Sequence, residues 1–366
     1  MISTVSPHTI VPTPPVGGTP PVDDMQADDM RVAFLFRHSR QASRVHVLQH
    51  LVQRWRAERA ADGALPRTAP AAPLATPAAA AAAAASTLID LGSLQQRIAQ
   101  LPALPRAAAE ALAMLRDENS GAEDCARCIG TDQALTARVL RLANSAFYGV
   151  PGRVGSVNRA VQMLGKRTLR GALTTVVLSG QFSAIQCEGF RFDGFWRHTI
   201  GTAIGAEAIA RARSLDDETA FTAGVLHDIG RLALAAHFPR ETAAMLELAR
   251  TRDLPWLEAE RLALQTDHAV IGAAIASHWN FPAGVQAAIA AHHLPRQDGN
   301  GAGMADVIHV ADAIVHALDL AGEAGEAVPE IDAQAWQRVG LSADQALELF
   351  QCIEQGVTAL CAALAD

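Results

Sequence analysis

The stretch FTAGVLHDIGRLALA, residues 221–235, restricts the fold more than any other part of the chain. It sets His227 and Asp228 among apolar residues, with Leu226 before them and Ile229, Leu232 and Leu234 after. The pattern is helical, and the pair takes a core-facing position in it. A charged dyad there is costly unless a metal ion, a hydrogen-bonded network or a phosphate satisfies it. The chain must therefore supply a shell of partners around residues 227 and 228.

The surrounding pattern supplies helices. Half of the residues are apolar but only 5% are aromatic, so a sizeable core must be built largely from Ala and Leu. That composition favours close-packed helices over a β-sandwich. From Thr87 onward apolar residues recur at helical spacing, and Pro105, Pro239, Pro255, Pro282 and Pro295 punctuate the pattern. No tandem repeat and no strand pair is evident. The expected fold is all-α. Residues 101–105 form an extended break before a helix to residue 116. A helix over 132–142 leads into a loop, 144–156, carrying Phe147, Tyr148 and Arg153. Ser156 caps the next helix, which Gly165 ends. The segments 195–211, 217–226, 232–237, 241–250, 256–264, 269–279, 283–293 and 306–320 complete the main run, and two further helices fall within 330–364.

The first 86 residues differ in character. Residues 1–30, rich in Pro, Gly, Thr and Asp, read as a disordered tail. In residues 31–60 seven arginines oppose one acid, Glu58, for a net charge of +6. Val45, Leu48, Leu51, Val52 and Trp55 recur there at helical spacing, so this is a basic amphipathic helix. It either docks on a partner or an anionic surface, peripherally, or folds onto the main domain. RVAFLF, 31–36, also fits a short strand. Residues 61–86 are an Ala/Pro linker.

The chain's net charge of −8 argues against a general nucleic-acid binder. No basic-then-apolar leader opens the sequence, and no run reaches the roughly 18 apolar residues of a membrane span. Five cysteines without framework spacing suit a reduced, cytoplasmic protein. Cys125 and Cys128 lack a second pair or a nearby His to complete a zinc site, and read as structural, with Cys128 inward and Cys125 at the boundary.

One ordered set of residues surrounds the dyad in sequence. It comprises His198 in FWRHT, His227 and Asp228 in LHDIG, His268 in DHAVIG, His292 and His293 in AAHHLP, and Asp312 in VADAI. Each lies in, or at the end of, an apolar helical segment. Imidazoles and carboxylates on facing helices are how bundle cores build metal sites. The alternative is structural: a hydrogen-bonded pair at 227–228, a capped helix start at His268, and a helix end favouring His at 292–293. His237, His278, His309 and His316 read as ordinary core or surface residues.

The order His…His-Asp…Asp resembles the HD superfamily, built around a divalent metal. The fuller set LPALPRAAAEALAML, DQALTARVLRLANSAFYGVPGRVGSVNRAVQMLG, FWRHT, GVLHDIGRLAL, DHAVIGAAIASHW and HH resembles the HDOD family, the HD-related output domain of bacterial signalling proteins. The resemblance implies an HDOD domain over 87–320. Its parts are an N-terminal helical part, 87–188, and an HD-like part, 189–320, with a helical extension over 321–366. It implies a non-catalytic regulatory output or scaffold module acting through contacts with other signalling proteins. The alternative it carries is a metal-dependent phosphodiesterase for a nucleotide or cyclic dinucleotide, using Fe, Mn, Zn or Mg. In that case His198, His227, Asp228 and Asp312 would hold one metal, His268, His292 and His293 a second, and Arg231 would steady the phosphate. The HD-GYP relatives that hydrolyse cyclic di-GMP carry Gly-Tyr-Pro after the paired His and a Lys where Arg231 stands. HHLPRQDGNGAG has no Tyr-Pro, so that activity is not carried over.

Overall fold

The computed structural model describes residues 22–39, 43–61, 96 and 104–365, apart from 118, 151, 183–185, 296–300 and 324. Among the described residues every regular element is a helix. In chain order they are α1 (Val22–Leu35), α2 (Ser43–Ala61), α3 (Arg106–Arg116), α4 (Ala122–Ile129), α5 (Gln133–Ala143) and α6 (Val157–Gln181). There follow α7 (Phe192–Ala212), α8 (Asp217–Leu226), α9 (Ile229–His237), α10 (Pro239–Arg252) and α11 (Trp256–Leu264). The last are α12 (His268–His278), α13 (Ala283–Ala291), α14 (Met304–Leu318), α15 (Ala333–Val339) and α16 (Ala343–Ala365). The all-α expectation holds.

The centre of the body is α7. Its residues 194–206, apart from Arg197, are buried, including Phe195, Ile200, Ala203 and Ile204, so it is a helix apolar nearly all round. It packs against α8, α14 and α16. Small residues let these axes approach. A Cβ on Gly224 of α8 would lie 2.5 Å from the Ala203 Cα, so α7 and α8 meet backbone to backbone. From α16, Phe350, Ile353 and Val357 are fully buried, each contributing about 1.5–3 kcal/mol. By length and composition residues Ala343–Leu364 could cross a membrane, but one face of that helix is part of this core.

Helices α3, α4 and α5 pack on α6. The stop expected at Gly165 is a bend: its φ of 77° breaks the helical path, and α6 continues to Gln181. The 144–156 loop is tied by Asn144, whose amide donates to the carbonyls of Leu140 and Val154 and accepts from the Val154 N–H. Phe147 lies against Gly356, so the loop packs on α16. Cys125 is fully buried, not at a boundary, because α4 turns it inward with Ile129.

At the N-terminus residues 22–30, expected in the tail, are the first turns of α1. Residues 31–35 are helical too, which corrects the strand reading. Their apolar side chains, Val32 and Leu35, bury with Leu48 and Val52 of α2 in a hairpin laid on the body. Residues 1–21 and the 62–86 linker lie outside the described residues.

Candidate metal centre

The dyad sits at a helix break, between the end of α8 and the start of α9, not within one helix. His227 Nδ1 lies 2.7 Å from the Gly224 carbonyl oxygen and donates to it. Gly230 lets the next helix start hard against α12: a Cβ there would stand 2.1 Å from the His268 carbonyl oxygen. That close approach brings His268, at the first position of α12, beside Asp228.

All seven residues singled out in the sequence converge. On one side His198 Nε2 lies 3.0 Å from Asp312 Oδ1 and 3.2 Å from His227 Nε2. Both imidazoles lie 3.7 Å from Asp228 Oδ2. On the other side Asp228 Oδ1 is 3.1 Å from His268 Nε2 and 4.0 Å from His292 Nε2. His293 Nε2 is 2.8 Å from His268 Nε2. The Asp228 carboxylate thus stands between two donor groups, one oxygen turned to each.

The hydrogen bonds fix which nitrogens face inward. A carbonyl oxygen only accepts, so Nδ1 carries the proton in His227 and also in His292, which donates to Ile289. His268 Nδ1 donates to Glu260. Three Nε2 lone pairs then point at one another and at two carboxylates. An acceptor-only cluster of this kind requires protons or a cation among its members. Among the described residues, Asp312 Oδ2 and His198 Nδ1 are buried with no hydrogen-bond partner. The donor set, imidazole nitrogens with carboxylate oxygens, fits a divalent transition metal.

The electrostatics agree. Burial would raise the Asp228 carboxyl, but His227, Arg231 and His268 hold it well below the usual range. Asp312 is held low in the same way by His316, His198 and His227 against its burial. Burial works against charge on His268, yet Glu260 and Asp228 push it up to about 10. Burial and the neighbouring His227 and His268 push His292 down to about 3. The field that keeps a proton on His268 is one that would hold a cation.

Three participants were not singled out in the sequence. His316, expected to be ordinary, lies with Nε2 3.3 Å from Asp312 Oδ1 and Nδ1 3.0 Å from Glu326 Oε1. Its signal was the i,i+4 spacing from Asp312, which puts both on one face of α14. Glu326 and the fully buried Glu260 left no comparable mark. His309 stands apart, donating to the His292 carbonyl and accepting from the Asp332 N–H.

A cavity of about 70 Å³ opens beside the cluster. Arg231 and Trp256 form part of its wall, the guanidinium 3.8 Å from the ring centroid. Arg231 Nη1 also donates to Asp228 Oδ2 at 2.9 Å. Residues Ala321, Glu323 and Glu326 line it as well.

A family model described as the HDOD domain matches residues 101–295. The chain belongs to the HDOD family. An HDOD domain protein of unknown function from Geobacter sulfurreducens shares the fold, with a TM-score of 0.62 and 23% identity. The match covers 76% of this chain and 99% of that one. A structure from Shewanella amazonensis SB2B, provisionally described as a phosphohydrolase, matches with a TM-score of 0.62 and 28% identity over 74% of this chain and 98% of its own. An uncharacterised protein of Treponema pallidum (strain Nichols) is 27% identical over 205 residues, 55% of this chain. This HDOD chain spans only 39% of that relative's length. Asp312, His316 and Glu326 lie beyond the family match, as do α1 and α2 before it.

Proposed function

We propose that this HDOD protein binds a divalent metal at the His/Asp centre and hydrolyses a phosphoester there, as a signalling output. The observation that carries the reading is the inward convergence of the His227, His268 and His292 Nε2 atoms on Asp228 and Asp312. The likeness to a protein provisionally described as a phosphohydrolase supports it. His198, His227 and Asp312 would hold one cation, His268, His292 and His293 a second, with Asp228 between them. A cation there, Fe, Mn or Zn, would supply Lewis acidity toward a phosphoryl oxygen and make water more acidic. Arg231, held flat by Trp256, binds and orients the phosphoryl oxygens. Glu323, pushed up to about 7 by burial, lines the same cavity and can return a proton to the leaving oxygen.

A second reading, in which the fold is a non-catalytic scaffold for other signalling proteins, is favoured by one observation. The cavity of about 70 Å³ is well below the ~300 Å³ of common ligand sites. Metal analysis of protein purified without chelator, followed by assay on bis(p-nitrophenyl) phosphate and then cyclic dinucleotides, separates the readings. Metal-dependent turnover that Asp228→Ala abolishes supports hydrolysis. Bound metal without turnover supports the scaffold, and protein that takes up no metal sinks hydrolysis and leaves the scaffold standing.

A further inference from the structure

We propose that residues 31–38, at the end of α1, latch the strap of residues 321–329 shut across the cavity, so that displacing the α1–α2 hairpin opens the centre. This rests on the reading of that centre as a functional site.

The strap forms one wall of the cavity through Ala321, Glu323, Gly325 and Glu326. Its described residues, 321–323 and 325–329, form no helix or strand. The Glu326 N–H turns back to the Glu323 carbonyl at 3.2 Å, and the Gly322 N–H to that of Asp319, before the strap, at 3.2 Å. The hairpin supplies what the strap lacks. The Val328 N–H donates to the Leu35 carbonyl at 2.8 Å. Arg37 Nη1 donates to the Glu326 carbonyl at 2.8 Å and Nη2 to that of Gly325 at 3.2 Å. Arg31 Nη2 donates to the Glu323 carbonyl at 2.8 Å, while Nε and Nη2 grip the buried Asp319 carboxylate at 2.8 and 2.7 Å.

The same residues reach the other wall. Arg37 Nε donates to Asp253 Oδ1 at 2.7 Å, and His38 Nε2 lies 3.2 Å from that oxygen. Asp253 immediately precedes Leu254 and Pro255, which lead to Trp256, the ring under Arg231. One guanidinium, Arg37, therefore joins the strap to the turn that leads into Trp256. It is held in place by the Phe34 ring, whose centroid is 3.7 Å away.

The positive charge of 31–60 has its counterpart on this protein's own body. Arg31 meets Asp319, Arg37 meets Asp253, and Arg59 meets Glu354 at 2.7 Å. The Ala/Pro-rich residues 62–86 lie in sequence between the hairpin and the rest of the chain. The small cavity is then the closed state, with the strap's own Glu326 reaching in to His316.

The test is amide hydrogen exchange on the full chain, comparing wild type with Arg31→Ala/Arg37→Ala and with the milder Asp253→Asn, whose carboxylate is 41% exposed. In the double variant exchange in peptides covering 321–329 should rise about tenfold or more, with α7 and α14 unchanged, as expected for a local opening. In Asp253→Asn the rise should be smaller and confined to the same peptides. Release of preloaded Zn²⁺ to a chelator should accelerate in step. Unchanged exchange at 321–329 in both variants overturns the latch, as does a rise in Asp253→Asn shared equally by α7 and α14. If no form of the protein takes up Zn²⁺ or Mn²⁺, the metal reading fails, while the exchange result still decides the latch.

Discussion

His268 Nδ1 lies 2.6 Å from Glu260 Oε2, and that contact turns its Nε2 toward Asp228, 3.1 Å away. Glu260 is fully buried, and the same oxygen accepts the His268 backbone N–H at 2.9 Å. A carboxylate behind a ligating imidazole fixes its tautomer and raises its basicity. His316 does related work on the other side, lying between Glu326 and Asp312. The centre is thus oriented by groups that need not touch a metal.

Glu260→Gln should weaken divalent-metal affinity about 10- to 100-fold while leaving the helical content intact. Competition with a fluorescent chelator measures the affinity, and circular dichroism checks the fold. Wild-type affinity in the variant would show that His268 needs no such orientation.

Parts of this arrangement were legible in the sequence. His198, His227, Asp228, His268, His292, His293 and Asp312 stood out because each interrupts an apolar helical pattern. Glu260 did not, because WLEAERLAL reads as an ordinary charged helix face, and only packing of α11 against the start of α12 buries it. The break at 227–228 was hidden because the apolar pattern runs across it, while the His227 side chain caps the Gly224 carbonyl. The helix at 22–30 was hidden by its acids, Asp23, Asp24, Asp28 and Asp29. Docking of the adjoining turns through Val32, Leu35 and the Arg31–Asp319 pair holds that helix on the body. Interactions distant in sequence leave little local signature.

Gly230→Ala should be destructive out of proportion to its size. The added methyl would meet the backbone of His268 at 2.1–2.9 Å, and Asp267 caps that helix start. Overpacking against backbone predicts a loss of about 1–3 kcal/mol or more. Differential scanning calorimetry should show a fall in Tm of roughly 2–4 °C for each kcal/mol. Gly284→Ala is the control: its Cβ would meet nothing within 4 Å, so its Tm should hold or rise.

Arg231→Lys tests the phosphate-orienting role. Lysine keeps the charge beside Asp228 but loses the planar fork and the stacking on Trp256. Turnover of a phosphodiester should drop about 10²-fold with metal content unchanged. Equal turnover at equal metal occupancy would remove Arg231 from substrate binding.

Glu323 should make stability depend on pH. Burial pushes its carboxyl from 4.5 up to about 7, against the opposing charge of Arg231. The folded state therefore holds this proton more tightly than the unfolded chain. The stabilisation is present below pH 4.5 and is lost as pH rises through about 7. Glu323→Gln keeps the shape and removes the titration. Its Tm should match wild type near pH 5 and exceed it near pH 8, by roughly 2–4 °C for each kcal/mol. Turnover in the variant should also lose the decline above pH 7 that depends on this acid, at a lower maximal rate. Parallel Tm curves for the two proteins across this range would show that the Glu323 carboxyl keeps its ordinary affinity for a proton in the folded state, and would leave the leaving oxygen without its proton donor.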